Sequence, residues 1–248
     1  MHLSVNYISS LILSKGKKTC VQMGEFLEIS HDSLQRALSN PKSKGALQGI
    51  LLSIAHYFAR QSKEQFFIID DTAISKRFAR VMEGVATVYN SLLGKPSLGF
   101  SIVVLSWSNG KVSLPIAFEY WFSNEVVKEE EYKKKQTIAC ELVAIYKSCF
   151  TCDFVLLDGL YCKREVISFF NSIDMAFEMR MYKNRSIRTS NGIKAQIKKH
   201  PKLKLNRNQK VKTVTVFWYD YELFVTSCKR TLKGEPEIVY LGSVDFLK

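Results

Sequence analysis

The chain has 248 residues, of which 46% are hydrophobic and 12% aromatic, so it can bury a substantial core in one main domain with a smaller appendage. Its 36 Lys and Arg residues outnumber its 23 Asp and Glu residues, which gives a formal net charge of +13. Such an excess of positive charge favours a polyanionic partner, first of all nucleic acid. The longest apolar run after the N-terminus, residues 46–59, is too short to span a bilayer, so we expect no membrane role.

The six cysteines are scattered along the chain, and the N-terminal segment lacks the pattern of a secretory signal. Because disulfides are rare in the cytoplasm, this usage predicts reduced thiols and a cytoplasmic protein. No glycine-rich phosphate loop of the GxxxxGK[ST] or GxGxxG type is present, so we expect that nucleotide hydrolysis does not drive the chemistry. DNA is the expected partner, and no small-molecule substrate is expected.

Residues 1–60 are predicted to form a small helical region. A helical stretch reaches Leu27, the turn EIS follows, and a second helix begins in HDSLQRAL with Ser30 as its N-cap. Two short helices with a tight turn are compatible with helix-turn-helix recognition of DNA. Helical hairpins are common, so the sequence leaves the function of this region open.

Residues 61–183 are predicted to form a sheet with flanking helices. EQFFIIDD is a short apolar run typical of a strand that is buried on both faces. Two further strands, in residues 98–107 and 111–122, are separated by the turn signal SNG and predict a hairpin.

A helix with an acidic first turn is predicted next, within residues 129–150. DFVLLDGL then predicts a strand that ends in Asp158, KREVISFF a helix, and MAFEMRMY another strand. This order of elements predicts an α/β fold whose sheet has an antiparallel half and a parallel half.

The most basic part of the chain is residues 183–212, which contain eleven Lys or Arg residues and no Asp or Glu. This stretch is predicted to be an exposed, loop-rich excursion that lies along phosphates, and the alternative is a solvated basic loop. Residues 211–230 and 236–246 follow as predicted antiparallel strands, with a period of two that runs through Tyr221.

Asp71 and Asp158 each lie at the carboxyl end of a strand that is predicted to be buried. Adjacent strands of an open α/β sheet bring such residues to one crevice. Two carboxylates repel each other there unless a cation joins them, and their hard oxygen ligands favour Mg²⁺ or Mn²⁺. A single aspartate at a strand end can equally form a turn or cap a helix. The pair, on a chain of this charge, favours nucleic-acid phosphotransfer.

The stretches FFIIDDTAISKRF, LPIAFEYW and FVLLDGLYCKREVISFF resemble the catalytic core of DDE transposases from bacterial cut-and-paste insertion sequences. The resemblance covers roughly residues 60–248 and is nearest to the Tyr-Arg-Glu-Lys subgroup. It implies a ribonuclease H-like mixed sheet, with three antiparallel strands before the parallel ones, over residues 61–183. Residues 184–248 would be a basic β-rich insertion, with the core incomplete at the C-terminus.

The resemblance also implies the site residues. The family's first catalytic carboxylate is the Asp directly before Thr, which is Asp71, and the second is Asp158; both would bind the metal. Asp70 would then point to the other face of its strand. A family position that often holds DNA corresponds to Arg180. The predicted DNA-binding residues are Arg180, Lys183, Arg185, Lys198, Lys199, Lys202 and Lys204.

The family's third carboxylate lies on a helix with a YxxxRxxxE pattern, which this chain does not contain. Glu235, Glu237 and Asp245 are predicted to lie in a turn or strand, so we do not expect them to replace it. The resemblance therefore implies a truncated form of a nucleoid-associated bacterial enzyme that acts as a homodimer on element ends and target DNA. Two alternatives stay open, an inactive DNA-binding remnant and a stand-alone nuclease of the ribonuclease H type.

Overall fold

The structure is a computed structural model that describes residues 10, 19–39, 41–76, 78–79, 82–91, 93–232 and 235–244. The chain forms two compact units, Met1–Arg60 and Gln61–Lys248. Among the described residues, no helix is long and apolar enough to cross a membrane.

Within its described residues, the N-terminal unit has three helices, α1 (Cys20–Leu27), α2 (His31–Ser39) and α3 (Pro41–Ala59). The backbone of Glu28 is left-handed, with φ 55°, and ends α1. Gly24 permits the tight turn, because a Cβ atom there would lie 2.7 Å from a backbone oxygen of the turn. Two short helices joined by a tight turn lie at the predicted positions. That they read a groove of DNA stays a prediction.

The second unit is built on one large mixed sheet, which has eleven strands within the described ranges. Two helices, α4 (Lys135–Tyr146) and α5 (Arg164–Ser172), lie between its strands in the chain. The strands are β1 (Phe66–Ser75), β2 (Ala86–Asn90), β3 (Lys95–Ser108), β4 (Ser113–Trp121), β5 (Phe154–Leu157), β6 (Ala176–Met181), β7 (Ser186–Arg188), β8 (Lys194–Gln196), β9 (Val211–Trp218), β10 (Tyr221–Leu232) and β11 (Glu235–Ser243).

The core of the sheet has the spatial order β4–β3–β1–β5–β6. The hairpin β3–β4 and the pair β1–β3 are antiparallel, whereas β1–β5 and β5–β6 are parallel. The remaining strands continue the sheet beyond β6 in the order β11, β10, β9, β7 and β8. The predicted mixed α/β fold is confirmed, and the arrangement around β1 is ribonuclease H-like.

The predicted SNG turn joins β3 to β4. The side-chain oxygen of Asn109 accepts hydrogen bonds from the backbone N–H groups of Lys111 and Val112, at 3.1 and 2.9 Å. Gly110 adopts φ 81°, a left-handed conformation that costs glycine little. The turn therefore has the chemistry that the sequence predicts.

The two faces of the core sheet differ in burial. One face carries Phe67, Ile69, Leu105 and Val155, which are almost completely buried on the side of α4 and α5. The other face, which we call the open face, is apolar but only partly covered. Its side chains include Phe66, Ile68, Phe100, Ile102, Val104, Phe118, Tyr120, Phe154 and Leu156.

Two details of β1 and α4 differ from the prediction. β1 does not end at Asp71 but continues to Ser75, because β3 pairs with it along its whole length. The acidic residues Glu129–Glu131 form a separate 3-10 turn, and α4 begins only at Lys135, so its first turn has no acidic residue.

The C-terminal strands differ from the prediction at one turn. The alternation predicted through Tyr221 stops at Trp218, where β9 ends. Tyr219 then adopts φ 53° and turns the chain into β10. The basic excursion is rich in loops, as predicted, but Ile187, Ile197 and Leu203 anchor it by burying their side chains.

Candidate active site

Two acids and one arginine occupy neighbouring positions across β1, β5 and β6. The last residue pairs of the two parallel ladders are Ile69 with Leu157 and Leu157 with Met179. The residues that follow these pairs in the three chains are therefore neighbours in one row. They are Asp70, Asp158 and Arg180.

Asp70 and Asp158 lie on the open face. The rings of Phe66 and Phe154, which are partners in the β1–β5 ladder, stack with centroids 5.0 Å apart on this face. Alternation along β1 puts Asp70 on the side of Phe66. Asp158 keeps an extended backbone, with φ −73° and ψ 166°, and so lies on the side of Phe154.

The pKa of Asp70 is affected by its partly buried position next to two other acids. Burial raises the pKa of the Asp70 carboxyl above its ordinary value, and the negative charges of Asp71 and Asp158 raise it further. The backbone N–H of Asp71 donates a hydrogen bond to Asp70 Oδ1 at 2.8 Å, which opposes this rise. A cation shared by Asp70 and Asp158 would relieve their repulsion.

Asp71 lies on the opposite face of β1, where Lys135 at the start of α4 binds it. Lys135 Nζ is 2.5 Å from Asp71 Oδ2, and the two side chains are 19% and 24% exposed. The same Nζ atom is 5.1 Å from the ring centroid of Trp121. The structure thus separates Asp71 from Asp158, which the sequence analysis paired, and places Asp70 beside Asp158.

Two tyrosines flank the segment that follows Asp158. Tyr161 is completely buried, and its hydroxyl has no hydrogen-bond partner among the described residues. Its pKa is raised by burial and by the charges of Asp71, Asp70 and Asp158. Tyr182 lies against Gly159, where a Cβ atom would be 2.9 Å from Tyr182 Cζ. Burial and the charge of Asp158 raise the pKa of Tyr182.

A basic cavity of about 530 Å³ lies beside Tyr182; we call it the Arg185 cavity. Tyr182, Lys183, Asn184, Arg185 and Lys198 line it. The backbone N–H of Lys198 donates to the carbonyl of Lys183 at 3.0 Å and so joins the two ends of this lining. Arg185 donates to the backbone carbonyl of Cys162 at 3.4 Å, which fixes the cavity next to the segment after Asp158.

A protein-family model described as DDE superfamily endonuclease matches residues 2–215 of the chain. The chain belongs to this family. No curated protein matches the chain significantly. The DDE superfamily endonuclease match includes both acids of the open face and Arg180, and it ends within β9.

The predicted DNA-binding residues of this DDE endonuclease fall into three groups. Lys183, Arg185 and Lys198 meet in the Arg185 cavity. Arg180 lies in the row of the two acids and forms a 3.5 Å ion pair with Glu237. The other three residues do not line this cavity but lie in or just after the 3-10 turns Ile197–Lys199 and Pro201–Leu203. They are Lys199, Lys202 and Lys204.

Within the described ranges, the structure brings no third acid into a group with Asp70 and Asp158 that could hold a metal ion. Among the described residues of the DDE endonuclease, no group of three or more His, Cys, Asp or Glu side chains could hold a metal ion. Glu237 is bound by Arg230 at 2.8 Å and also by Arg180, and Glu235 begins β11. Asp245 lies outside the described residues.

Sequence reasoning missed the position of Asp70, although a signal was present. FFIID and FVLLD are both runs of four apolar residues that end in aspartate. Aligned from their first residues, the two runs match the observed register and place Asp70 beside Asp158. The ion pair of Asp71 with Lys135 has no comparable signal, because 64 residues separate the partners.

Proposed function

We propose that this DDE superfamily endonuclease is a DNA transposase that cleaves DNA and transfers strands at the ends of an insertion sequence. The observation that supports it best is that Asp70 and Asp158 share the open face at adjacent parallel strands, beside the Arg185 cavity. Family membership accounts for cleavage, whereas strand transfer and element ends rest on the resemblance of the core. The site of action would be the bacterial nucleoid.

Asp70 and Asp158 fit a hard divalent cation, Mg²⁺ or Mn²⁺. Both offer carboxylate oxygens, which these ions prefer, and a bound cation would lower the pKa of Asp70, which burial first and then the charges of Asp71 and Asp158 raise. When bound, such an ion supplies Lewis-acid activation of a phosphodiester and of the attacking oxygen. Asp71, paired with Lys135, would position β1 behind Asp70 rather than bind the metal.

The positive charges around the acids suit a DNA backbone. Arg180 follows Asp158 in the row of the sheet, and the Arg185 cavity adds three further cations on the same side. These groups would bind phosphates near the scissile bond and carry no sequence information. The N-terminal helices would then supply recognition of the element end.

The acid that completes the site would come from a helix that packs on the open face. This face is apolar, and Phe118 and Tyr120 on it are 57% and 42% exposed. An apolar sheet face is normally covered by another layer. The enzyme would act as a homodimer, which holds two element ends at once.

One observation favours a second candidate, a remnant that binds DNA without cutting it. Two carboxylates without a third hold metal ions poorly, and the described residues offer no third acid near the pair. The remnant would keep the cationic surface and compete with a complete enzyme for DNA.

A plasmid-nicking experiment separates the candidates. Supercoiled DNA is incubated with the protein and Mg²⁺ or Mn²⁺, for the wild type and for Asp70→Asn, Asp158→Asn and Asp71→Asn. We expect nicking that the first two substitutions abolish and the third only reduces. The control is Asp174→Asn, an exposed residue in the turn before the amino end of β6, whereas Asp158 follows the carboxyl end of the parallel strand β5.

Loss of nicking in Asp71→Asn with retention in Asp70→Asn would contradict the assignment of Asp70. Salt-dependent DNA binding without any nicking, with either metal, would favour the remnant.

A further inference from the structure

A second cationic cavity, of about 390 Å³, lies on the other side of the segment that follows Asp158. We call it the Lys163 cavity. Three of its lining residues are lysines, and two aromatic side chains form part of its wall. These residues are Trp121, Tyr132, Lys134, Lys135 and Lys163.

The lysines of this cavity are not equally neutralised. Lys135 is bound by Asp71 at 2.5 Å. Lys134 and Lys163 have no acidic partner within 4 Å in the part of the chain that the structure describes. Glu165 is the one acid in the lining, and its side chain is exposed. The cavity is therefore positive and suits an anion.

The position of the cavity links it to the candidate active site. Gly159 touches Tyr182 of the Arg185 cavity, whereas Leu160 and Lys163 line the Lys163 cavity. Gln136 of α4 donates a 2.9 Å hydrogen bond to the carbonyl of Leu160 and so holds this segment against the helix that carries Lys135. Residues 158–163 thus separate two basic cavities.

We propose that the Lys163 cavity binds a backbone phosphate of the bound DNA, on the face of the sheet that carries Asp71 and Lys135. Together with the Arg185 cavity, it would contact the DNA on both sides of residues 158–163. The cavity accommodates a phosphodiester and its sugar, with Trp121 and Tyr132 against the sugar. This inference rests on the proposed function, which makes DNA the substrate.

The test compares two double variants that remove the same charge. Lys134→Ala with Lys163→Ala changes the cavity, and Lys111→Ala with Lys128→Ala changes exposed lysines elsewhere in the same unit. Binding of a fluorescent 30-base-pair duplex is measured without metal at several salt concentrations. Since each lost phosphate contact lowers the slope of log K against log salt by roughly 0.9, we expect a decrease of about 0.9 for the cavity variant, which loses one phosphate.

A second readout locates the contact directly. Acetylation of lysines, followed by mass spectrometry, should show Lys134 and Lys163 protected by the duplex, and Lys111 and Lys128 unprotected. Circular dichroism checks that both double variants are folded, and the footprint of the wild-type protein does not depend on either variant.

The outcomes are distinguishable. Equal slopes for both variants and no protection of Lys134 and Lys163, while the wild type binds DNA, would overturn this inference alone. Absence of salt-dependent binding by the wild type would overturn it together with the DNA substrate. Loss of nicking in Asp70→Asn has no influence on either readout.

Discussion

Lys135, the first residue of α4, holds Asp71 in the middle of β1 through a 2.5 Å ion pair. This pair lies directly behind Asp70, because consecutive residues of a strand point to opposite faces. It therefore fixes the helix layer to the central strand next to the proposed metal ligand.

We expect Asp71→Asn and Lys135→Met each to lower the free energy of unfolding. The pair is largely buried, so the loss should be about 1–3 kcal/mol, between the values for exposed and for buried pairs. Urea unfolding of the two single variants and the double variant gives the coupling energy. The exposed pair Lys133–Glu141 is the matched control, with side chains 54% and 45% exposed; equal coupling in both pairs would contradict the prediction.

Asp70→Asn should raise the melting temperature in the absence of metal. The pKa of Asp70 is raised in the folded protein, so its negative charge disfavours folding at neutral pH. The same substitution should abolish stabilisation by Mg²⁺, which binding to the folded state alone would produce. Thermal unfolding in EDTA and in Mg²⁺ measures both effects. A Mg²⁺ shift that survives in Asp70→Asn and in Asp158→Asn would refute the metal site.

Glu178 of β6 provides a test of pH dependence. Burial raises its pKa above the ordinary value of 4.5, so the stability that protonation gives is present below that value and is lost as the pH rises through the folded-state pKa. Glu178→Gln should therefore match the wild type near pH 4 and exceed its stability at neutral pH. Unfolding free energies across this range show the difference. Glu129→Gln, at an exposed turn, should bring no such gain.

Gly99→Ala should destabilise the sheet by about 1–3 kcal/mol through overpacking. A Cβ atom on Gly99 would lie 2.3 Å from the backbone oxygen of Ile74 in the neighbouring strand. Gly49→Ala in α3 is a control of opposite sign, because nothing lies within 4 Å of its added Cβ atom and alanine favours a helix. Thermal unfolding compares them, and an unchanged melting temperature for Gly99→Ala would show that β1 and β3 can separate at this point.

Within the basic excursion, we expect the position of a lysine to affect DNA binding more than the number of charges removed. Lys183→Ala with Lys198→Ala removes two cations of the Arg185 cavity, and Lys199→Ala with Lys204→Ala removes two that lie outside it. We expect the first pair to lower the slope of log K against log salt by about 1.8, at roughly 0.9 per phosphate contact. The second pair should change it less. Equal slopes would indicate that the whole excursion binds DNA diffusely.

Local patterns predicted most of the core sheet. A few consecutive residues determine each of these elements: the apolar runs that end at Asp70 and Asp158 form strands, and SNG forms a turn. The order of the strands along the chain therefore followed from the sequence. The sequence did not predict which aspartate shares a face of the sheet with Asp158, because the interpretation relied on the family motif, in which the catalytic aspartate directly precedes Thr72. The register between β1 and β5, which decides the question, is a contact between residues 88 apart.

The remaining differences also depend on tertiary structure. The sequence predicted that β9 continues to Tyr221. The turn was missed because Tyr219 adopts the left-handed conformation there, in place of the glycine or asparagine that usually signals such a turn. The Lys163 cavity was missed because its lysines come from two segments that look like ordinary solvated charges. Only folding brings them together around the segment after Asp158.

The open face of the sheet also determines how the protein behaves in handling. Its aromatic and aliphatic side chains are partly exposed over several strands, so we expect this face to bind hydrophobic dyes and to associate with other copies as the concentration rises. The net charge of +13 opposes this self-association at low ionic strength, and added salt weakens that protection. Purification in high salt, the usual way to remove DNA from a basic protein, should therefore favour aggregation of this protein. A mild detergent or glycerol should be added to the buffer to limit it.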